Sequence, residues 1–202
     1  MNKEQGKVSS IELRKQQYPE LVDLSERTKE VVTLFQEIAR EAREKSWGLV
    51  FISGLAVDAH FGYLTRQHRD VDAMVLRDAI SDVKSFLELK GHVVNERGEG
   101  LKIDPTDPEH PAWSHGDIHY YYADEKGDVI IPHDGKELKF TAPIEELTEE
   151  LSFLGESAKF LKSRYLLEEK AGWTDQVGFR GTEENEVRNA KEVEKINFLI
   201  EN

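Results

Sequence analysis

Residues 53–72 read SGLAVDAHFGYLTRQHRDVD, and they join an apolar run to an Asp-Val-Asp motif. The apolar run predicts a buried strand that ends at Ser53 and Gly54. The residues after Asp70 alternate as a second strand does. Because a strand points successive side chains to opposite faces, we expect Asp70 and Asp72 to share one face, about 7 Å apart.

A third carboxylate from a neighbouring strand would complete a set of hard oxygen ligands. Asp117 begins a later strand-like segment and is favoured for this place, with Asp124, Asp128 and Asp134 as nearby rivals. Mg²⁺ prefers a few carboxylates together with substrate phosphate oxygens over a site built wholly from protein. The pattern therefore predicts a magnesium site at Asp70, Asp72 and Asp117.

The composition is that of a polar chain that can still bury a core. The chain has 202 residues, of which 38% are hydrophobic and 33% are charged, with no cysteine and a formal net charge of −13. The length fits one domain with a small appendage. The negative charge argues against a nucleic-acid partner, and the absence of cysteine excludes a thiolate zinc site. We expect no signal peptide or membrane span, and hence a cytoplasmic protein.

The order of elements predicts an α+β fold, a mixed β-sheet flanked by helices with a helical C-terminal part. Ser25 is expected to cap a helix that ends near Lys45. We divide the chain into an N-terminal lead-in (1–24), a sheet domain (25–142) and the helical part (143–202). The segment Ser157–Glu168 reads as a helix, and 171–184 as a loop.

The stretch Ser53–Ala59, followed by Thr65-Arg66-x-His68 and Asp70-x-Asp72, resembles one family. It is similar to the antibiotic-type nucleotidyltransferases, the lincosamide and aminoglycoside adenylyltransferases of the DNA-polymerase-beta-like superfamily. Asp117-Ile118-His119 resembles the third acidic strand of this family. Glu156, Phe160, Lys162 and Tyr165 resemble, more weakly, its C-terminal helix.

The resemblance implies a reaction that uses two Mg²⁺ ions and a nucleoside triphosphate (NTP), with ATP the expected donor. Asp70 and Asp72 would bridge both ions, and Asp117 would hold the ion nearest the acceptor hydroxyl. Two metals about 3.5–4 Å apart can activate an attacking oxygen and stabilise a leaving one. Attack on the α-phosphorus would move a nucleoside monophosphate (NMP), AMP if ATP is used, to a hydroxyl of a small-molecule acceptor and release pyrophosphate.

The nucleotide-binding residues implied are Ser53, Gly54, Arg66 and Lys162. Ser53 and the backbone N–H groups of the turn would hold the β- and γ-phosphates at a helix N-terminus, which favours negative charge. Glycine lets the backbone approach a ligand closely. Lys162, with Lys159, is predicted to reach the triphosphate.

Several residues keep a second interpretation at this stage. Arg66 could instead form a salt bridge with Asp58 or Asp70, and His68 is interpreted as structural. His119 could contact substrate, support Asp117 or pack in the core. The general base stays open, and Trp113 is a candidate for the acceptor pocket; the carboxylates considered for the base are Glu99, Asp104 and Asp134.

Two other classes of function compete with transfer to a small molecule. The fold could persist as an idle module that binds a nucleotide or a partner, although all three predicted carboxylates are present. It could also be a toxin- or antitoxin-type nucleotidyltransferase that modifies RNA or protein, and the acidic charge counts against RNA. The sequence leaves room for a homodimer.

Overall fold

The computed structural model describes residues 10–104, 115–133, 135–175 and 183–202. Its first long helix begins as the sequence predicts, because the Ser25 hydroxyl accepts a hydrogen bond from the backbone N–H of Thr28. The helix continues to Lys45 and buries an apolar stripe that includes Phe35 and Ile38. Spacing of three and four residues places that stripe on one helix face.

The helices and strands follow one another along the whole described chain. The helices are Ser10–Gln17 (α1), Glu26–Lys45 (α2), Ser53–Phe61 (α3), Ile80–Leu89 (α4), Ile144–Leu147 (α5), Ser163–Asp175 (α6) and Glu183–Glu201 (α7). The strands are Val50–Phe51 (β1), Val71–Leu76 (β2), Val93–Arg97 (β3), Gly100–Asp104 (β4), Gly116–Ala123 (β5), Val129–His133 (β6), Lys136–Phe140 (β7), Thr148–Phe153 (β8) and Glu156–Leu161 (β9). None of the helices described is both long and apolar enough to cross a membrane.

The strands form a mixed sheet in the order β3-β4-β5-β2-β1-β9-β8, with β6 and β7 continuing from β5. The central pair, β2 and β5, runs parallel, as do β1 and β9. The other neighbours along this order run antiparallel. The α+β prediction, a mixed sheet flanked by helices, is confirmed.

The two faces of the central strands have different environments. Val71, Ala73 and Val75 alternate along β2 and are fully buried. Phe51 is paired with Ala73, and its ring lies 4.7 Å from that of Phe35 on α2. Paired residues of neighbouring strands point to the same face, so α2 covers this side of β2. The opposite side of β2 carries the even-numbered residues, including Asp72.

The helix predicted over Ser157–Glu168 is wrong in its first half. Residues up to Leu161 form β9, which pairs with β8 and with β1. Leu154 and Gly155 join the hairpin with φ angles of 50° and 84°, the positive values that tight hairpin turns require. Glu156 and Phe160, which the resemblance placed on a C-terminal helix, therefore lie on a strand.

The loop predicted over 171–184 is also shorter than expected where the structure describes it. Helix α6 continues to Asp175, and α7 begins at Glu183. Helix α7 packs against α3 and α6. This packing brings the C-terminal residues to the turn that follows β1, which is the part of the fold that matters for the candidate site.

Candidate active site

Three aspartates share one face at the N-terminal ends of the parallel strands β2 and β5. Asp72 and Asp117 are register partners, so their side chains lie side by side. Asp70 lies two residues before Asp72 and therefore points to the same side. We call Asp70, Asp72 and Asp117 the carboxylate face. The structure places the three residues that the sequence nominated as metal ligands on, or directly before, neighbouring strands.

The carboxylate face is electrostatically strained. Removal from water, followed by the charges of Asp70 and Asp117, raises the pKa of Asp72 well above its usual value. Burial and the charge of Asp70 also raise the pKa of Asp117. Like charges close together disfavour ionisation of each one. The face therefore holds more negative charge than its surroundings compensate.

The donor chemistry of this face fits a hard divalent cation, because carboxylate oxygens are the ligands that Mg²⁺ prefers. The side chains are not drawn together around one point: within the described ranges no three His, Asp or Glu side chains form a group that could hold a metal ion. The charges of Asp70 and Asp117 add to the effect of burial on the pKa of Asp72. The same repulsion opposes a closer approach of the three carboxylates to one another.

The turn after β1 lies against this face. The backbone N–H of Ile52 donates to the Asp72 carbonyl at 3.0 Å, which fixes the start of α3 beside β2. Ser53 adopts a positive φ of 54°. Its hydroxyl donates to Glu169 Oε1 at 2.8 Å, and Lys170 Nζ lies 3.4 Å from Ser53 Oγ. A non-glycine residue with positive φ is uncommon and is held in place by such contacts.

Charged side chains from two helices and a loop meet above this turn. Glu192 of α7 accepts from Lys170 Nζ at 2.9 Å and from Arg66 Nη2 at 2.5 Å. Glu192 is 3% exposed and Glu169 is 1% exposed, so these charges are removed from water. We call Arg66, Lys170, Glu169 and Glu192 the Glu192 network.

Glu192 and Lys170 stabilise each other's charged forms. Burial opposes ionisation of Glu192, yet Lys170 and Arg66 lower its pKa to about 2. Burial alone would lower the pKa of Lys170, but Glu169, Glu192 and then Asp72 outweigh it and raise that pKa. Lys170 is therefore within electrostatic reach of both the network and the carboxylate face.

Gly54 makes room for this network. A Cβ atom at Gly54 would lie 2.0 Å from Arg66 Nη2 and 3.2 Å from Glu192 Oε1. The guanidinium therefore lies directly over the backbone of the turn, and a side chain at position 54 would displace it. The close approach that glycine permits here is to Arg66, a residue of the same chain.

The motif between Gly54 and Asp70 is mainly structural. Asp58 is 1% exposed and accepts hydrogen bonds from the backbone N–H and hydroxyl of Thr65 and from His68 Nε2. Burial lowers the pKa of His68, against the opposing effect of Asp58, so the imidazole is neutral. His68 is therefore structural, as interpreted. Arg66 does form an ion pair, but with Glu192 and not with the expected Asp58 or Asp70.

The other nominated residues lie in varied places. Lys162 donates to the backbone carbonyl of Glu146 at 2.7 Å, and its role toward a nucleotide stays a prediction. The rival carboxylates Asp124 and Asp128 lie in the turn between β5 and β6, and both pair with Lys139 of β7. His119 packs its ring 5.6 Å from that of His133. Trp113 and Asp134 lie outside the described residues.

A pocket of about 270 Å³ lies between α2, β1 and the β8–β9 hairpin. Phe51 and Ala39 line its apolar part, and Arg43, Glu150 and the exposed Lys159 lie at its charged part. Since Phe51 faces α2, this pocket is on the side of the sheet opposite the carboxylate face. It does not form part of the candidate site.

Sequence reasoning missed Glu169, Lys170 and Glu192, because charged residues on helices usually face solvent. A signal was nevertheless present for two of them. Glu192 precedes the buried Ile196 by four residues, and Glu169 follows the buried Leu166 by three. A charge in register with an apolar stripe points to burial.

No protein-family model and no curated protein matches the sequence. Solved structures do. The lincosamide antibiotic adenylyltransferase LnuA, with lincomycin bound, superposes with a TM-score of 0.58 at 15% identity over 88% of this chain and 99% of that one. The solution structure of the antibiotic-resistance factor ANT(2'')-Ia gives 0.58 at 19% identity over 85% and 90%. ANT(2'')-Ia in complex with adenylyl-2''-tobramycin gives 0.53 at 18% over 83% and 93%. The chain therefore has the nucleotidyltransferase fold, as the resemblance implied.

Proposed function

We propose that this protein transfers a nucleoside monophosphate from an NTP to a hydroxyl of a small-molecule acceptor and releases pyrophosphate. The observation that carries the proposal is the register of Asp72 with Asp117, which sets three carboxylates on one face beside the turn at Ser53. Two structures of the same fold are named for adenylyl transfer to, or adenylylated forms of, antibiotics. We therefore propose ATP as the donor and AMP as the transferred group.

Asp70, Asp72 and Asp117 would hold the divalent metal, for which we propose Mg²⁺, with two ions in the active complex. When bound, the metal neutralises phosphate charge and lowers the pKa of a coordinated hydroxyl. The protein's part in such reactions is mainly to position groups and to supply charge. Because the pKa of Asp72 is raised, a bound cation would stabilise the ionised form of this carboxyl group.

The triphosphate would lie between the carboxylate face and the start of α3. Ser53 Oγ and the backbone of Gly54 would face its phosphates. Lys170 is the cation best placed to bridge the two regions, because it contacts Ser53 and acts electrostatically on Asp72. Arg66 lies over Gly54 and supplies a second positive charge. Lys162 stays a further candidate for the same role.

The acceptor would enter from the side of Asp117. The carboxylates there, together with the net charge of −13, favour a small and cationic acceptor over a polyanion such as RNA. Aminoglycosides, which carry several amino groups, meet this description, and lincosamides carry one. These two classes form the first acceptor panel.

The test is incubation with each α-³²P-labelled NTP, Mg²⁺ and a panel of aminoglycosides and lincosamides. The wild type and the Asp70→Asn/Asp72→Asn variant are run side by side, and pyrophosphate release is followed in parallel. A labelled acceptor formed by the wild type and absent with the variant supports the proposal. NTP binding without a labelled product would favour the idle module, and no NTP binding would reject the proposal.

A further inference from the structure

We infer that Glu192 competes with the nucleotide's phosphates for Arg66 and Lys170, so that α7 restrains nucleotide binding until Glu192 is displaced. This inference rests on the proposed function, because it concerns the phosphates of the same donor. It gives α7 a regulatory role at a site that is otherwise formed by the turn and the carboxylate face.

The first step of the argument is charge. The two cations nearest the turn, Arg66 and Lys170, already have the carboxylates of Glu192 and Glu169 as counter-ions. Within the network two basic groups face two carboxylates, and Arg188 of the same helix acts on Glu192 from outside it. A triphosphate brings several further negative charges to the same place, and like charges in a poorly solvated site repel strongly. Phosphates and Glu192 therefore cannot both use these cations fully.

The second step is space. Glu192 Oε1 would lie only 3.2 Å from a Cβ atom at Gly54, so the carboxylate occupies the room directly above the turn. The side chain of Glu192 is 4% exposed, whereas that of Arg66 is 23% exposed. The acidic group lies deeper than the guanidinium that it neutralises. A phosphate that approaches the backbone of Gly54 meets the Arg66 guanidinium together with the Glu192 carboxylate that already binds it.

The third step is the unequal anchoring of α7. One turn after Glu192, Ile196 is fully buried, and the Phe198 ring stacks on that of Phe61 at 6.3 Å. On the other side of Glu192, Glu186 and Val187 are exposed. From Ile196 onward α7 is held by apolar packing, whereas none of residues 186–191 is buried. Glu192 can therefore leave the cations without the loss of the apolar contacts that hold α7.

The test uses inorganic tripolyphosphate, which carries the charge of the nucleotide without its base. We expect Glu192→Gln to bind it about tenfold more tightly than the wild type in calorimetric titration, because one competing charge is removed. Glu194→Gln is the matched control, since it removes an equal charge from an exposed position of the same helix. The control is expected to bind as the wild type does.

A second measurement needs no variant and covers the case in which Glu192→Gln fails to fold. In the wild type, tripolyphosphate is expected to speed amide hydrogen exchange in the first half of α7, because the helix loses its tie to Arg66 and Lys170. Slower exchange there, or equal or weaker binding by Glu192→Gln, would overturn the inference and leave the proposed function intact. If neither protein bound tripolyphosphate, both the inference and the phosphate site of the proposed function would fail.

Discussion

The carboxylate face and the Glu192 network lie next to each other, yet they hold charge in opposite ways. The face gathers three carboxyl groups, and burial together with the charges of Asp70 and Asp117 raises the pKa of Asp72. The network matches negative with positive groups, and the pKa of Glu192 falls to about 2. Lys170 and Glu169 of the network both act electrostatically on Asp72 of the face.

This difference indicates that the Glu192 network has counter-charges and that the carboxylate face has fewer of them. A group whose charged form is disfavoured gains stability from a ligand of opposite sign, and functional sites are often strained in this way. A bound cation would therefore stabilise the carboxylate face. The cations of the network already pair with Glu192, so we infer that an incoming anion competes with that carboxylate.

The largest expected effect is on transfer by the carboxylate face. Asp117→Asn should lower the rate on the order of 100-fold or more, because one of the carboxylates proposed to hold the divalent metal is lost. Asp124→Asn is the matched control: this rival carboxylate pairs with Lys139 in the hairpin, and the variant should stay within about twofold. Both rates are measured with the labelled donor. Equal losses of transfer rate in the two variants would contradict the proposed role of Asp117 as a metal ligand.

A smaller effect is expected where the network meets the turn. Gly54→Ala should destabilise the protein by about 1–3 kcal/mol, because the new Cβ displaces Arg66 from a largely buried pair. In an Arg66→Ala background the same change should be neutral or slightly stabilising, since alanine favours a helix more than glycine does. Urea unfolding of the four proteins gives this cycle. An equal loss of stability from Gly54→Ala in both backgrounds would show that glycine at position 54 is not needed to accommodate Arg66.

Lys162 is the nucleotide contact predicted from the sequence, and Lys170 is the one proposed from the structure. Variants of these two lysines distinguish between the two assignments. Lys170→Met should raise the KM for the NTP about tenfold, because it removes the cation beside Ser53. Lys162→Met should change that KM about twofold or less, since Lys162 donates to a backbone carbonyl. Steady-state rates at several NTP concentrations decide between them. The reverse order would restore Lys162 as the main phosphate contact.

The smallest effect is a gain in stability at the face. In the metal-free protein at pH 7, Asp72→Asn should raise the urea midpoint, because a carboxyl group whose pKa is raised on folding costs stability above its unfolded pKa. The unfolded chain binds fewer protons at this group than the folded one, so the cost is present above the folded pKa. It disappears as the pH falls to the unfolded value near 4. A gain that did not shrink with falling pH would contradict the strain assigned to Asp72.

Much of the fold could be predicted because local patterns and tertiary packing agree. The strand Val71–Leu76 has the predicted bounds, since its alternating apolar residues are those that pack under α2. Ser25 caps α2 for a reason that is local to four residues. The β8–β9 hairpin was missed because its turn uses Leu154, which is not a typical turn residue, and because its charged residues read equally well as a helix face.

The candidate site could be predicted only where it is local in sequence. The aspartates and the turn fall within one short motif plus Asp117. The Glu192 network joins residues more than 100 positions apart, such as Ser53 with Glu169 and Arg66 with Glu192. Charge that is buried by distant helix packing leaves only a weak trace in the sequence, the register of Glu192 with Ile196.

The most direct test of the central claim, that the carboxylate face is completed by a divalent cation and a nucleotide, is calorimetric titration with α,β-methylene ATP. This analogue binds without transfer of AMP. We predict binding by the wild type that requires Mg²⁺, is lost in Asp72→Asn and is retained in Asp124→Asn. Binding that is indifferent to Mg²⁺, or that survives unchanged in Asp72→Asn, would contradict the account.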